Sequence, residues 1–369
     1  MDYSLWAIWR ARGESKIHLK KAIIREWAKI PASHIRAACD SLLDRLKAIV
    51  KAKGGHIEQN TNKVSKRIMD IAQDVSEFFV VFIKILLELL HRLFEKMMNK
   101  KLKDISGEII LITGAGHGIG RELALHYTAW GSIVVCVDIN EKNNEETLKK
   151  AKRLMQNSVY AYTCDVSDRD AVLKLAAKVE AEVGRVSVLV NNVGIMPTHP
   201  LEQHTVEEIK RVFDINVLSH FWTLEAFLPQ MKQQGRGHII CISSIAGIVG
   251  LTNLVPYCAT KYAVRGMMEA LHEEIRDGPY KDFIKLTIVY PYMTNTGLCK
   301  RPKVKFPSML GLLDPKEVAK HIVEAHRSNV NETTIPNSLL HINNWCRLLP
   351  LRCGLLLKDY IDSGVESDL

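Results

Sequence analysis

The sequence predicts an α/β fold: one doubly wound parallel sheet, a single domain, preceded by a helical N-terminal extension. Three observations carry that expectation. From residue 106 to about 330, apolar runs of strand length alternate with stretches of helical spacing, the pattern of a parallel sheet covered by helices on both faces. A glycine-rich turn lies directly between the first such run and the first helix. Before both, residues 63–103 contain neither Gly nor Pro and read as one long helix.

In chain order, residues 1–62 form a basic, broadly helical extension closed by the breaker cluster "KGGHIEQN". Residues 63–105 hold an amphipathic helix and linker, with the apolar stretch "FFVVFIKILLELLHRLF" (78–94) at its centre. Strands are expected at "EIILITG", "SIVVCVDIN", "YAYTC", "VSVLVNN", "GHIICISS" and "IKLTIVYP", all within a domain spanning 106–336. Residues 337–369 form an apolar tail.

Charge separates these regions. Residues 1–103 carry 21 Lys/Arg against 11 Asp/Glu, and the remainder 29 against 30, so the basic character belongs to the N-terminal part. The 47% hydrophobic and 25% charged content argues against wholesale disorder. Eight cysteines without a C-x-x-C pair argue against a zinc site or a disulfide framework and fit a reducing compartment. No charged n-region precedes the mildly apolar first residues, so no signal peptide is expected. Asn331-Glu332-Thr333 matches a glycosylation sequon, which matters only in a secretory lumen.

The turn "TGAGHGIG" (113–120) fits a G-x-x-x-G-x-G spacing through Gly114, Gly118 and Gly120. Gly114 permits the tight turn, Gly118 the close approach of a pyrophosphate, and Gly120 close helix–strand packing. His117 and Ile119 share the turn and are assigned to the same cofactor. Asp138 ends the second strand, 24 residues after Gly114. A carboxylate there accepts from ribose hydroxyls and repels a 2′-phosphate, favouring NAD over NADP, unless Asp138 is only a cap or turn residue. Asp165 and Val166, after the third strand, either contact the adenine or cap the following helix.

"YCATK" places Tyr257 and Lys261 on one helix face, where an ammonium beside a phenol favours the phenolate. Ser244 ends the strand "GHIICISS", with Ser243 turned to the other side. "NNVG" contributes Asn192 and Gly194 at another strand end, and Asn216 lies in a helix able to reach the same cleft.

With these motifs in order, residues 106–336 resemble the short-chain dehydrogenase/reductases, which implies a Rossmann-like sheet. The resemblance implies Tyr257 as general base, Lys261 tuning it and binding the nicotinamide ribose, and Ser244 orienting substrate. It also implies Asn216 holding a water in a proton relay, and Pro291 and Thr296 at the nicotinamide carboxamide. Two positions depart from the family pattern: Val193 stands for the usual alanine, and Tyr292 for the usual glycine after Pro291. Flanking words such as "GEIILITGAGHGIGREL" and "NVLSHFWTLEAFLPQM" resemble a membrane-associated subgroup containing lipid-droplet 17-beta-hydroxysteroid dehydrogenases and epidermal retinol dehydrogenases. That implies NAD-dependent oxidation of a lipophilic alcohol (retinol, steroid or long-chain alcohol) at the endoplasmic reticulum membrane or a lipid droplet, facing the cytosol, by a homodimer. The alternative is a non-catalytic membrane or lipid-droplet scaffold that retains the fold. The tail is then a substrate lid or a second membrane contact.

Two features lie outside that pattern. Residues 25–59 resemble the extreme C-terminal tail of mariner-type transposases but carry no acidic triad, and no nucleic-acid partner is expected. The apolar stretch 78–94 covers about 25 Å as a helix, short of a roughly 30 Å hydrocarbon core. Lys84, Glu88 and Arg92 form one polar stripe along it. A position in the membrane interface is therefore preferred over spanning the bilayer or packing into the core.

Overall fold

The computed structural model describes residues 102–156 and 158–368, together with Asp44, residue 71 and residues 73–90. The chain divides into two compact units, Met1–Lys100 and Lys101–Leu369. In the first, residues 73–90 are helical. Within that unit Phe78, Phe79, Phe82, Ile85 and Leu89 all have more than half of their surface exposed. Among the described residues no helix is long and apolar enough to cross a membrane. The expectation of helix as far as residue 103 fails at its end, because Leu102 and Lys103 are not helical. Instead Lys103 N donates to Arg327 O and Arg327 Nε donates back to Lys103 O, each at 3.0 Å. The transposase-like segment lies outside the described residues apart from the helical Asp44.

The second unit is built on a parallel seven-stranded sheet of order β3-β2-β1-β4-β5-β6-β8. Its strands are β1 (Ile109–Thr113), β2 (Ile133–Asp138), β3 (Val159–Thr163), β4 (Val188–Asn191), β5 (Gly237–Ile242), β6 (Ile284–Pro291) and β8 (Glu332–Ile335). Five of the first six fall inside the apolar runs read from the sequence, and β3 starts one residue before its run, at Val159. The seventh, Glu-Thr-Thr-Ile, is polar and lies at the sheet edge, and it contains two residues of the sequon.

Because strand side chains alternate between faces, the sheet has two cores. On one face Leu111, Leu189, Ile239 and Ile288 pack with α3 (Arg169–Glu182), α5 (Ser219–Gln233) and α6 (Val255–Asp277). On the other, Ile110, Ile112, Val190 and Ile240 pack with α1 (Gly118–Ala129), α2 (Glu141–Lys152) and α7 (Pro315–Arg327). Strand order reverses between β1 and β4, and ligand crevices of such sheets open at the strand C-terminal ends beside that point.

α4 (Val206–Phe213) begins with a capping box formed by Thr205 and Glu208, and a π-helical turn, Asp214–Leu218, joins it to α5. The tail belongs to this same unit. It forms α8 (Ser338–Leu348) and α9 (Leu351–Ile361), then β9 (Gly364–Val365), which pairs antiparallel with β7 (Pro302–Lys303). Seven cysteines among the described residues are free thiols.

Candidate active site

The crevice opens above the C-terminal ends of β1, β4, β5 and β6. It has a volume of about 270 Å³, and Gly114, His117, Gly118, Ile119, Asp138, Asn192, Gly194, Ser244, Tyr257, Lys261, Pro291 and Thr296 line it together. Four expected site residues do not line it: Gly120, Asn216, Asp165 and Val166.

The glycine turn is shaped by backbone constraints. Gly114 and Gly118 have φ of +67° and +56°, values that side-chain-bearing residues rarely adopt. Gly120 lies beneath the turn, where a Cβ would stand 2.0 Å from Gly114 O. His117 is the N-cap of α1 and makes no side-chain cap bond, and the first turn carries no acidic residue. The exposed N–H groups and the positive end of the helix dipole therefore face the crevice, as an anion requires. Asn192 Nδ2 donates to Thr113 O at 2.9 Å and Gly114 O at 3.2 Å, tying β4 to the turn.

Asp138 is both a turn residue and a cleft residue. Its Oδ2 accepts from Gly116 N at 2.7 Å and its Oδ1 from Asn140 N at 2.8 Å. The cap of α2 is Asn140, not Asp138. Arg121 stands nearby but is committed to Gly116 O and, at 3.0 Å, to Thr147 Oγ1. Asp165 closes a local turn by accepting from Ser167 N and Oγ, and the cap of α3 is Asp168, not Asp165 or Val166.

Tyr257 sits on the first turn of α6 and Lys261 on the second, both almost fully buried. The sequence leads one to expect a phenol with a lowered pKa. Here burial dominates and pushes Tyr257 up to about 12, with a hydrogen bond to Ser244 pulling the other way. Burial also pushes Lys261 down to about 8. Both shifts have one cause: a dry cavity disfavours whichever form is charged. Lys261 Nζ donates to Ile242 O at 3.1 Å and stands 5.7 Å from the Tyr257 ring centroid. Ser243 also borders the crevice, but its Oγ is committed to Lys261 O at 3.1 Å.

Asn216 occupies the π-helical turn and is fully buried. Its Oδ1 accepts from Ile195 N, and its Nδ2 donates to Ile195 O (both 2.9 Å) and to Thr260 Oγ1 at 3.2 Å. The side chain thus fixes the strand end behind Gly194. Thr260, which lies within "YCATK", went unread in the sequence although its place between Tyr257 and Lys261 pointed to it. Val365, Leu251, Met196 and Cys299 also line the crevice, and no local signal marks them. Tyr292 is nearly buried, and its hydroxyl shares a hydrogen bond with Ser363 of the tail.

This geometry defines a class, a hydride-transfer enzyme with a buried Tyr/Lys pair beside a nucleotide crevice. Residues 108–304 match the short chain dehydrogenase family, and the chain belongs to it. It is 39% identical over 289 residues to human epidermal retinol dehydrogenase 2, a match covering 78% of this chain and 93% of that protein. It is 38% identical over 259 residues to human estradiol 17-beta-dehydrogenase 11, covering 70% and 85% respectively. Among solved structures, a short chain dehydrogenase/reductase from Burkholderia phymatum in complex with NAD matches with a TM-score of 0.60 and 22% identity. That match covers 73% of this chain and 99% of that one, and it supports the fold alone. The chain is an oxidoreductase related to retinol and hydroxysteroid dehydrogenases.

Proposed function

We propose that the chain oxidises a lipophilic alcohol to its carbonyl compound with NAD, at a membrane or lipid-droplet surface facing the cytosol. The carrying observation is the cluster of half-buried Ser244 with buried Tyr257 and Lys261, in a crevice whose walls beyond it are apolar. The unacidified N-terminus of α1 fits the diphosphate, and Asp138 fits an unphosphorylated adenosine ribose. When bound, the oxidised nicotinamide supplies the hydride acceptor. Ser244 Oγ holds the substrate oxygen, Tyr257 as its phenolate takes the hydroxyl proton and becomes the phenol, and the positive charge of Lys261 favours that phenolate before the transfer. Gly194 leaves the floor clear: a Cβ there would lie 3.4 Å from Asn216 Oδ1 and 3.5 Å from Lys261 Nζ. Incubation of the purified chain with NAD and a panel of lipophilic alcohols should generate NADH absorbance. Its absence across the panel would leave the scaffold alternative.

Coenzyme choice is testable separately. Asp138→Asn keeps an acceptor for the turn and removes the charge. The ratio of kcat/KM with NADP to that with NAD should rise about tenfold or more, since a like charge near 4 Å costs several kcal/mol at a protein surface. An unchanged ratio would mean that Asp138 serves only the turn.

Membrane attachment rests on the exposed apolar helix 73–90 and on Trp345, Leu348, Leu351 and Leu356, which stand exposed on α8 and α9. Lying in the interface keeps Lys84 and Glu88 out of the hydrocarbon. Alkaline carbonate should therefore release the protein from membranes, whereas retention in the pellet would favour spanning.

A further inference from the structure

Beyond the crevice lies a second, larger cavity of about 600 Å³. Its roof is α8 and α9, and its floor is the turn Ile248–Leu251 with Tyr262 of α6. Two cations hold roof to floor. Arg347 Nη2 donates to Ile248 O at 3.0 Å and to the Tyr262 hydroxyl at 3.1 Å, and Lys358 Nζ donates to Gly250 O at 2.6 Å. The cavity and the crevice share Ile245, Leu251, Tyr292, Met293 and Val365, so they meet along one apolar wall. β9 pins this wall: Asn253 Nδ2 donates to Val365 O at 2.9 Å, and Tyr292 bonds Ser363.

Resting on the alcohol dehydrogenase reading above, we propose that the second cavity holds the far end of an extended-chain primary alcohol, whose hydroxyl reaches Tyr257 past Tyr292 and Val365. Size supports this. Pockets for small lipophilic ligands run to about 300–1,000 Å³, a range the outer cavity meets and the crevice does not, although the crevice must also hold the coenzyme. The space beside Ser244 therefore admits a narrow reactive end, and the bulk of the substrate lies beyond the wall. Tyr292 and Val365, both nearly buried and the former bonded to Ser363, stand on the shared wall; on this proposal a narrow chain passes them and a fused-ring body carrying its hydroxyl directly on a ring does not.

Gly354 of α9 lines the outer cavity, its φ is not positive, and a Cβ there meets nothing within 4 Å. Gly354→Phe therefore fills the cavity while improving helix propensity. On the full chain, kcat/KM for hexadecan-1-ol should exceed that for butan-1-ol and for a steroid 17β-alcohol at least tenfold. The hexadecanol-to-butanol ratio should fall at least tenfold in Gly354→Phe. An unchanged ratio, or a parent chain that prefers the steroid, overturns the proposal. Binding of the fluorescent polyene parinaryl alcohol reads the same cavity without turnover, and Gly354→Phe should weaken it at least tenfold. Equal binding by the two proteins also overturns the proposal. Weakened binding without NADH formation by the parent chain on any alcohol would uphold the cavity and sink only the dehydrogenase reading.

Discussion

Tyr257→Phe should lower kcat/KM for alcohol oxidation by about 10²–10⁴-fold, the contribution of a positioned general base, while the coenzyme still binds. The substitution removes one oxygen and keeps the ring, which is 5% exposed and packed against Leu254, Cys258 and Val365. Folding should therefore be little changed, and the melting temperature is the control. The sign of the pH dependence follows from the same burial. A phenol held up near 12 is protonated at neutral pH, so the parent enzyme should oxidise alcohols faster as pH rises from 6 to about 8, where loss of charge on Lys261 begins to cancel the gain. Loss of charge on Lys261, held near 8, sets the opposing limb. Phenylalanine at 257 should abolish the rising limb. Residual activity with an unaltered pH profile would assign the base elsewhere.

Gly120→Ala should be nearly as damaging through geometry alone. The added carbon would lie 2.0 Å from Gly114 O, 2.8 Å from Gly114 C and 2.7 Å from Asn192 Nδ2. Two of these are backbone atoms of the turn itself, so no rotamer change relieves the contact, and α1 must move off the sheet. Overpacking of this kind costs about 1–3 kcal/mol in stability. The larger effect falls on the anion site, because the N–H groups at the start of α1 lose their aim. NAD affinity should drop more than tenfold, as read by titration of the purified variant. Gly266→Ala is the contrast. It sits mid-helix in α6 with nothing within 4 Å of a Cβ, and it should gain up to about 1 kcal/mol in stability with coenzyme affinity intact. If both variants bind NAD as the parent does, the turn is not the coenzyme cradle.

The sheet was legible where burial on both faces demands continuous apolar runs, as in "IILIT", "IVVCVD" and "GHIICI". It was not legible at β8, where an edge strand needs one apolar face and shows Glu-Thr-Thr-Ile. Spacing put Tyr257 and Lys261 on one helix face and Ser244 at a strand end, and it was the ordered set of motifs and the family resemblance that brought the three into one crevice. Spacing could not give the sign of the Tyr257 shift, since that depends on how completely distant elements exclude water. The turn at Asp138 was half legible: its position was read correctly, but its bonds to Gly116 N and Asn140 N depend on how the chain folds back. The part played by Val365 was least accessible. Its strand is two residues long and pairs with Pro302–Lys303, about 60 residues earlier, so no local pattern announces it.

The most direct test of hydride transfer in this crevice uses a long-chain primary alcohol deuterated at the carbinol carbon. Incubated with NAD and the purified full chain, it should yield reduced coenzyme carrying one deuterium by mass spectrometry, together with the aldehyde, and Tyr257→Phe should yield almost none. Aldehyde formed without deuterium in the coenzyme, or label transferred equally well by the Tyr257→Phe variant, would contradict this reading of the site.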